Sequence, residues 1–215
     1  MLHLMKKKYT ENSQKKVVNK FTKNDIMFIA YVMLECEKLG VKVNLRPCKY
    51  VKMTESVKCS GYFDSENKQL VVAMNRPGAL GILVHEYCHV TQWVDDIDLW
   101  HNASSTKFDE WLGGKRIHNV RKYIGYTRDL ELDNEKRAVR MIRKWKLSVD
   151  VDKYIKGANA YIHFYNWMGY TRRWSKPTNS PYTNKHILSS MSTRFNMQYK
   201  HMSDKVYNAF LEADI

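Results

Sequence analysis

Between residues 21 and 39 apolar side chains recur at helical spacing, at Ile26, Ile29, Ala30, Met33 and Cys36, and Gly40 follows the last of them. This pattern predicts an amphipathic helix closed by a glycine. Residues 41–45 then alternate apolar and polar, as a half-buried strand does. Two further strands are expected at residues 61–64 and 69–74, joined by the polar run Ser65-Glu66-Asn67-Lys68. After Asn75 and Pro77, which read as an N-cap-type residue and an early-turn proline, the period becomes helical again through Leu80, Leu83, Val84, Tyr87 and Val90. Residues 94–127 lose it and read as a long connection, either functional or packed by Trp100 and Trp111. From residue 129 to about 146 a second helix is predicted, with Leu132, Ala138, Val139, Met141, Ile142 and Trp145 on its apolar side. Residues 154–167 are aromatic with helical period, the mark of a core helix. Pro177 and Pro181 lie in a linker at 175–184, and short amphipathic helices are expected at 186–199 and 203–213. Residues 1–20 are polar and lysine-rich, a mobile arm. The expected organisation is this arm, a domain at 21–174, and a C-terminal extension at 175–215.

A chain of 215 residues with 44% hydrophobic residues is long enough for one domain with a real core plus an appendage. No apolar run approaches the roughly 18–20 residues of a membrane span. The first residues turn to Lys6-Lys7-Lys8 with no apolar stretch after them, so a secretory signal is not expected and a cytoplasmic location is. Cys36, Cys48, Cys59 and Cys88 form no C-x-x-C pair and read as reduced thiols. The net charge of +14 points to polyanionic partners such as nucleic acid, an anionic membrane surface or an acidic protein face. Basic residues cluster at 6–20 and again at 115–146, where Arg121, Lys122, Arg128, Arg137, Arg140, Arg143 and Lys144 recur.

The chemistry is concentrated in His85-Glu86-Tyr87-Cys88-His89, which matches H-E-x-x-H. On a helix, His85 and His89 lie on one face and can converge on one metal ion. Glu86 sits one step round, beside the metal, where it can take a proton from water and pass it to a leaving amine. Cys88 is read as core filler. A catalytic zinc usually takes a third protein ligand. The metzincin spacing fails, because Gln92 and Asp95 stand where glycine and the third histidine would be. Other candidates are His101, His118, Glu131 and Glu135. Glu131 and Glu135 are four apart and share a helical face. If Glu131 binds zinc, Glu135 is placed to accept a hydrogen bond from the outer nitrogen of a histidine ligand.

With these residues the chain resembles the gluzincin class of zinc peptidases, which draw the third ligand from a glutamate on a later helix, commonly in E-x-x-x-[DE] followed by x-x-Ala. Glu131, Glu135 and Ala138 match that arrangement. The resemblance covers roughly residues 22–147 and extends to the minimal domains of short bacterial and phage proteins. It implies an α+β, zincin-like fold with a small antiparallel sheet, a Zn2+ cofactor held by His85, His89 and Glu131, a supporting Glu135, and Glu86 as general base. It also implies a protein or peptide substrate, bound along an edge strand just before the zinc helix, at residues 70–74. An oxyanion donor is also needed, and Tyr161, His163, Tyr165 and His186 are its candidates. The alternative reading is a basic structural or nucleic-acid-binding protein, phage-encoded or virion-associated, in which zinc is structural or vestigial.

Overall fold

In a computed structural model of the protein, residues 21–54, 57–176 and 178–215 are described, and the expected arm at 1–20 lies outside them. The fold is mixed α+β. By contacts the chain forms two compact units. One holds the described residues through Tyr87 together with Met141–Val149, and the other Cys88–Arg140 together with Asp150–Ile215. Among the described residues no helix is long and apolar enough to cross a membrane.

The first unit begins with helix α1 (Lys23–Lys38). Thr22 caps it, with its hydroxyl accepting from the Asp25 amide while the Asp25 carboxylate accepts from the Thr22 amide. This reciprocal box satisfies two otherwise orphaned donors. Asp25 is fully buried and also accepts bonds from the Ser148 amide and hydroxyl. Burial alone would raise its carboxyl pKa, but the bonds from Ser148 and Thr22 prevail and hold it below the usual range. Phe28 meets Tyr87 and Trp145 edge-on at 6.3 and 5.6 Å, forming the aromatic part of this core.

Five short strands follow: β1 (Lys42–Arg46), β2 (Val51–Lys52), β3 (Lys58–Cys59), β4 (Gly61–Asp64) and β5 (Gln69–Ala73). β5 lies in the middle of a three-stranded sheet, parallel to β1 and antiparallel to β4. β2 and β3 form a separate antiparallel ribbon. The expectation that residues 70–74 form an edge strand is therefore corrected. Leu70, Val71, Val72, Ala73 and Met74 are all buried, as strands flanked on both sides are. The edges belong to β1 and β4.

Helix α2 (Ala79–Val94) carries the H-E-x-x-H residues. It starts later than Asn75 and Pro77 suggest: Gly78, in the left-handed region at φ 75°, offers its carbonyl to the Ile82 amide and opens the helix. The stretch at 94–127 is not structureless. It holds α3 (Asp98–Ala103), α4 (Lys107–Leu112) and the first turns of α5 (Val120–Trp145). Gly125 lies within α5, where glycine weakens a helix by about 1 kcal/mol relative to alanine, which is why the sequence pattern places the helix start too late.

The second unit is built around α6 (Val151–Thr171), whose buried Ala160, Phe164, Tyr165, Trp167 and Met168 join Phe108, Trp111 and Ile124 in one cluster. The aromatic stripe is thus core. Into the same cluster pack Ile187 of α7 (Lys185–Ser189), Val206 and Phe210 of α8 (Asp204–Glu212), and Ile215. The helix expected at 186–199 is only the five residues of α7, because Asn159, fully buried on α6, competes for the later backbone. Its amide donates to the carbonyls of Ser192 and Arg194, and its oxygen accepts from the Tyr199 hydroxyl.

His163 is 1% exposed, stacks on Tyr199 at 5.5 Å, and neither ring nitrogen meets a hydrogen-bond partner among the described residues. Burial first, and the Arg128 charge second, push its pKa from 6.5 down to about 4. Below 6.5 the unfolded chain binds a proton that the folded one refuses, so this residue lowers stability as pH falls from about 6.5 towards 4. Urea unfolding near pH 7 and near pH 5 should differ by about 2 kcal/mol more in the native protein than in His163→Phe. Equal pH dependence in the two proteins would refute the assignment.

Candidate metal centre

His85 and His89 occupy consecutive turns of one face of α2. Both are half-buried, while their neighbours Leu83, Val84, Tyr87, Cys88 and Val90 are buried. The helix thus leaves two imidazoles accessible on an otherwise apolar element. Glu131, on α5, is 8% exposed. Its carboxylate and the two imidazoles each offer one atom, all within 4.8 Å of one another. The His89 Nε2 to Glu131 Oε2 distance is 3.6 Å. Among the described residues this is the one such histidine, cysteine or carboxylate group. His101 and His118 are exposed, and His101 pairs with Asp96 at 2.7 Å. Glu135 is buried one turn beyond Glu131.

Gln92 decides how His89 is presented. It is fully buried, its Nε2 donates to the Leu130 carbonyl at 3.0 Å and to Asp133 Oδ2 at 2.8 Å, and its Oε1 lies 2.9 Å from His89 Nδ1. Because the amide nitrogen is already engaged, Oε1 must accept, so His89 Nδ1 carries the proton. The lone pair then resides on Nε2, the atom facing Glu131. That is the tautomer a metal ligand needs, fixed from the outer nitrogen. Two imidazole nitrogens and one carboxylate oxygen are the donors of catalytic zinc sites that keep a fourth position for water or substrate. The residues fit zinc.

Glu131 is steadied on its other oxygen. Tyr165, 3% exposed on α6, donates to Glu131 Oε1 at 3.4 Å, and the Tyr161 hydroxyl lies 2.8 Å from that of Tyr165. Burial and then the Glu131 charge raise both phenols well above their usual pKa, so they remain neutral donors. The other two oxyanion candidates sit elsewhere: His163 is buried against Tyr199, and His186 is exposed and paired with Glu212 at 2.8 Å. Trp100 packs its ring 6.3 Å from that of His89.

Glu86 is 8% exposed and lies against β4. A Cβ built on Gly61 would come within 3.1 Å of Glu86 Cγ and 3.0 Å of both Ile82 Cγ2 and the Val71 carbonyl oxygen. Gly61 therefore suits the close packing beneath the glutamate, where a methyl group would crowd Ile82, Glu86 and the Val71 carbonyl. Cys59, two residues before Gly61, has its thiol pushed up to about 11 by burial and then by the Glu86 charge. Cys88 is fully buried with its thiol raised, and all four cysteines are free.

Two arginines of the 115–146 basic cluster are structural. Arg137 binds Asp133 at 2.8 Å and also Asp95, and donates to Thr91 Oγ1 at 3.2 Å. Arg128, 7% exposed, pairs with Asp129 and donates to Asn166 and the Lys200 carbonyl. Sequence reasoning missed Gln92 and Gly61. The available signals were a polar residue three positions after His89 on an apolar helix, and a glycine opening a strand.

No protein-family model, curated protein or solved structure matches this chain.

Replacing Gln92 with leucine keeps the bulk but removes the acceptor at His89 Nδ1. Zinc affinity, measured by competition with a chelator, should fall about 10–100-fold while the helical circular dichroism signal is kept. An unchanged affinity would show that Gln92 does not orient His89.

Proposed function

We propose that the protein is a zinc-dependent peptidase of gluzincin type. The observation that carries this reading is the convergence of His85, His89 and Glu131 within 4.8 Å, with Glu86 next to the first ligand on the same helix. Zinc, when bound, lowers the pKa of a water towards neutrality and polarises a carbonyl. The rest of the chemistry falls to the chain's own side chains. His89 is held in its Nε2-ligating tautomer by Gln92, and Glu131 keeps Oε2 towards His89 while Oε1 accepts from Tyr165. Glu86 takes the proton from the attacking water and delivers it to the leaving amine. The stem of Glu86 lies close to β4 at Gly61, where the absence of a side chain leaves room for it.

An extended substrate is expected along β4, which has β5 on one side and begins beside Glu86. Strand addition to an open sheet edge supplies backbone hydrogen bonds without demanding a particular side chain. Moving the substrate strand from β5 to β4 keeps the recognition mode and changes the residues that provide it.

Purified protein should carry about one zinc per chain, as one set of three ligands requires. Metal analysis of a His85→Ala, His89→Ala double variant should find that zinc gone, and equal zinc in both proteins would sink the idea. Glu86→Gln should retain the metal yet lower hydrolysis of a fluorogenic peptide mixture by about 10²-fold or more. Undiminished hydrolysis would remove Glu86 from the role of base.

Glu131 and Glu135 are both buried and one turn apart, so they test the ligand assignment directly. In chelator competition, Glu131→Ala should lose most of the zinc affinity, whereas loss of a supporting partner typically costs about 10–100-fold. If Glu135→Ala proves the weaker binder of the two, the ligand is Glu135.

A further inference from the structure

The face of the sheet opposite α2 carries a second group of side chains that the metal chemistry does not use. In β1 the alternation of the pleat puts Lys42, Asn44 and Arg46 on one side, and the register sets Asn44 beside Val71, which in turn faces Tyr62 of β4. These residues line a cavity of about 480 Å3, together with Tyr50 and Lys52 near the β2–β3 ribbon and Gln69 of β5. Its volume is in the range of ligand-binding sites, about 300–1,000 Å3. Val51, Val71 and Ala73 form a small buried cluster to which Tyr62 packs, so the floor is apolar and firm.

The lining is chemically one-sided. It holds three cations, Lys42, Arg46 and Lys52, two phenol rings and two side-chain amides, and no carboxylate among the described residues. Cations set on a concave wall of low dielectric focus a positive potential outward. Tyr50 is 58% exposed, and the Arg76 guanidinium lies over its ring at 5.2 Å. That contact steadies an exposed aromatic ring, a side chain that would otherwise gain nothing from solvent. An ordinary solvated lysine face has no need of such rings.

We propose that this cavity binds single-stranded nucleic acid. The phosphates lie against Lys42, Arg46 and Lys52, bases stack on Tyr50 and Tyr62, and the Asn44 and Gln69 amides meet base edges. Unpaired bases can reach aromatic rings, whereas a duplex offers this surface little but its phosphates. An acidic peptide would use the cations and leave the rings without a function. The proposal does not rest on the metal site, and it stands or falls separately from the peptidase reading.

The test uses the full chain, a labelled oligothymidylate and fluorescence anisotropy across a salt series. The lysine-rich N-terminal segment is common to all the proteins compared, so differences between variants report the cavity. A Lys42→Gln, Arg46→Gln, Lys52→Gln triple variant should reduce the slope of log affinity against log salt by about 2, at about 0.7 for each cation lost on a single strand. Tyr50→Leu should weaken the single strand roughly tenfold with the slope unchanged, and leave a duplex of the same length unaffected. The Tyr50 ring is exposed, so this variant remains informative even if the triple variant folds poorly. Unchanged slope and affinity in both would overturn the proposal. Equal binding of single strand, duplex and polyglutamate would also overturn it, reducing the cavity to a general polyanion surface.

Discussion

A single desolvated amide governs how His89 and Glu131 of the candidate metal centre are presented. Gln92 has no contact with water, and a buried amide left without partners costs on the order of 1–3 kcal/mol. Its three bonds are therefore obligatory once α2 is buried, and each does something different. The bond to the Leu130 carbonyl fixes the level at which α5 lies opposite His89, and Glu131 is the next residue along. The bond to Asp133 ties in Arg137, which reaches Thr91 and Asp95. The bond to His89 sets its tautomer. Packing and the placement of His89 and Glu131 are thus the same set of contacts.

What the sequence discloses is what secondary structure alone determines. The spacing of His85 and His89, and of Glu131 and Glu135, follows from the helical repeat, and the structure brings His85, His89 and Glu131 together. The role of Gln92 depends on which helix lies opposite, a tertiary fact without a local signature. The position of β5 was half legible: five consecutive buried apolar residues are characteristic of a central strand, and the unbroken run at 70–74 carries that signal. What the run cannot supply is its neighbours. The parallel pairing with β1 joins segments separated by the whole β2–β4 stretch. The start of α5 was hidden by Gly125 and by a first turn rich in basic residues, where tertiary packing overrides weak propensity.

The basic composition likewise resolves into two populations. Arg128, Arg137 and Arg172 spend their charge inside the second unit. Arg172 donates to the carbonyls of Trp111 and Lys115, both at 2.7 Å, and lies over the Trp111 ring at 5.3 Å. The planar fork of arginine suits such fixed, multiple bonds. Lys42, Arg46 and Lys52 are exposed on the sheet instead. A net charge of +14 is therefore no measure of polyanion affinity by itself, because part of it is consumed in holding loops to helices.

The pleat gives one small sheet two faces of different character. Adjacent residues of β4 point to opposite faces: Gly61 towards Ile82 and Glu86, Tyr62 towards the cavity with Val71. Through Gly61, the absence of a side chain lets the strand approach the glutamate. Through Tyr62, the presence of one makes a wall. A slip of one residue in the pairing of β4 with β5 would exchange the two, placing a phenol where even a methyl group is crowded. The buried Val72 and Val71, opposite Gly61 and Tyr62 respectively, hold that register from the central strand. The sequence Gly-Tyr is thus a constraint on both faces at once, and each face limits what the other can become.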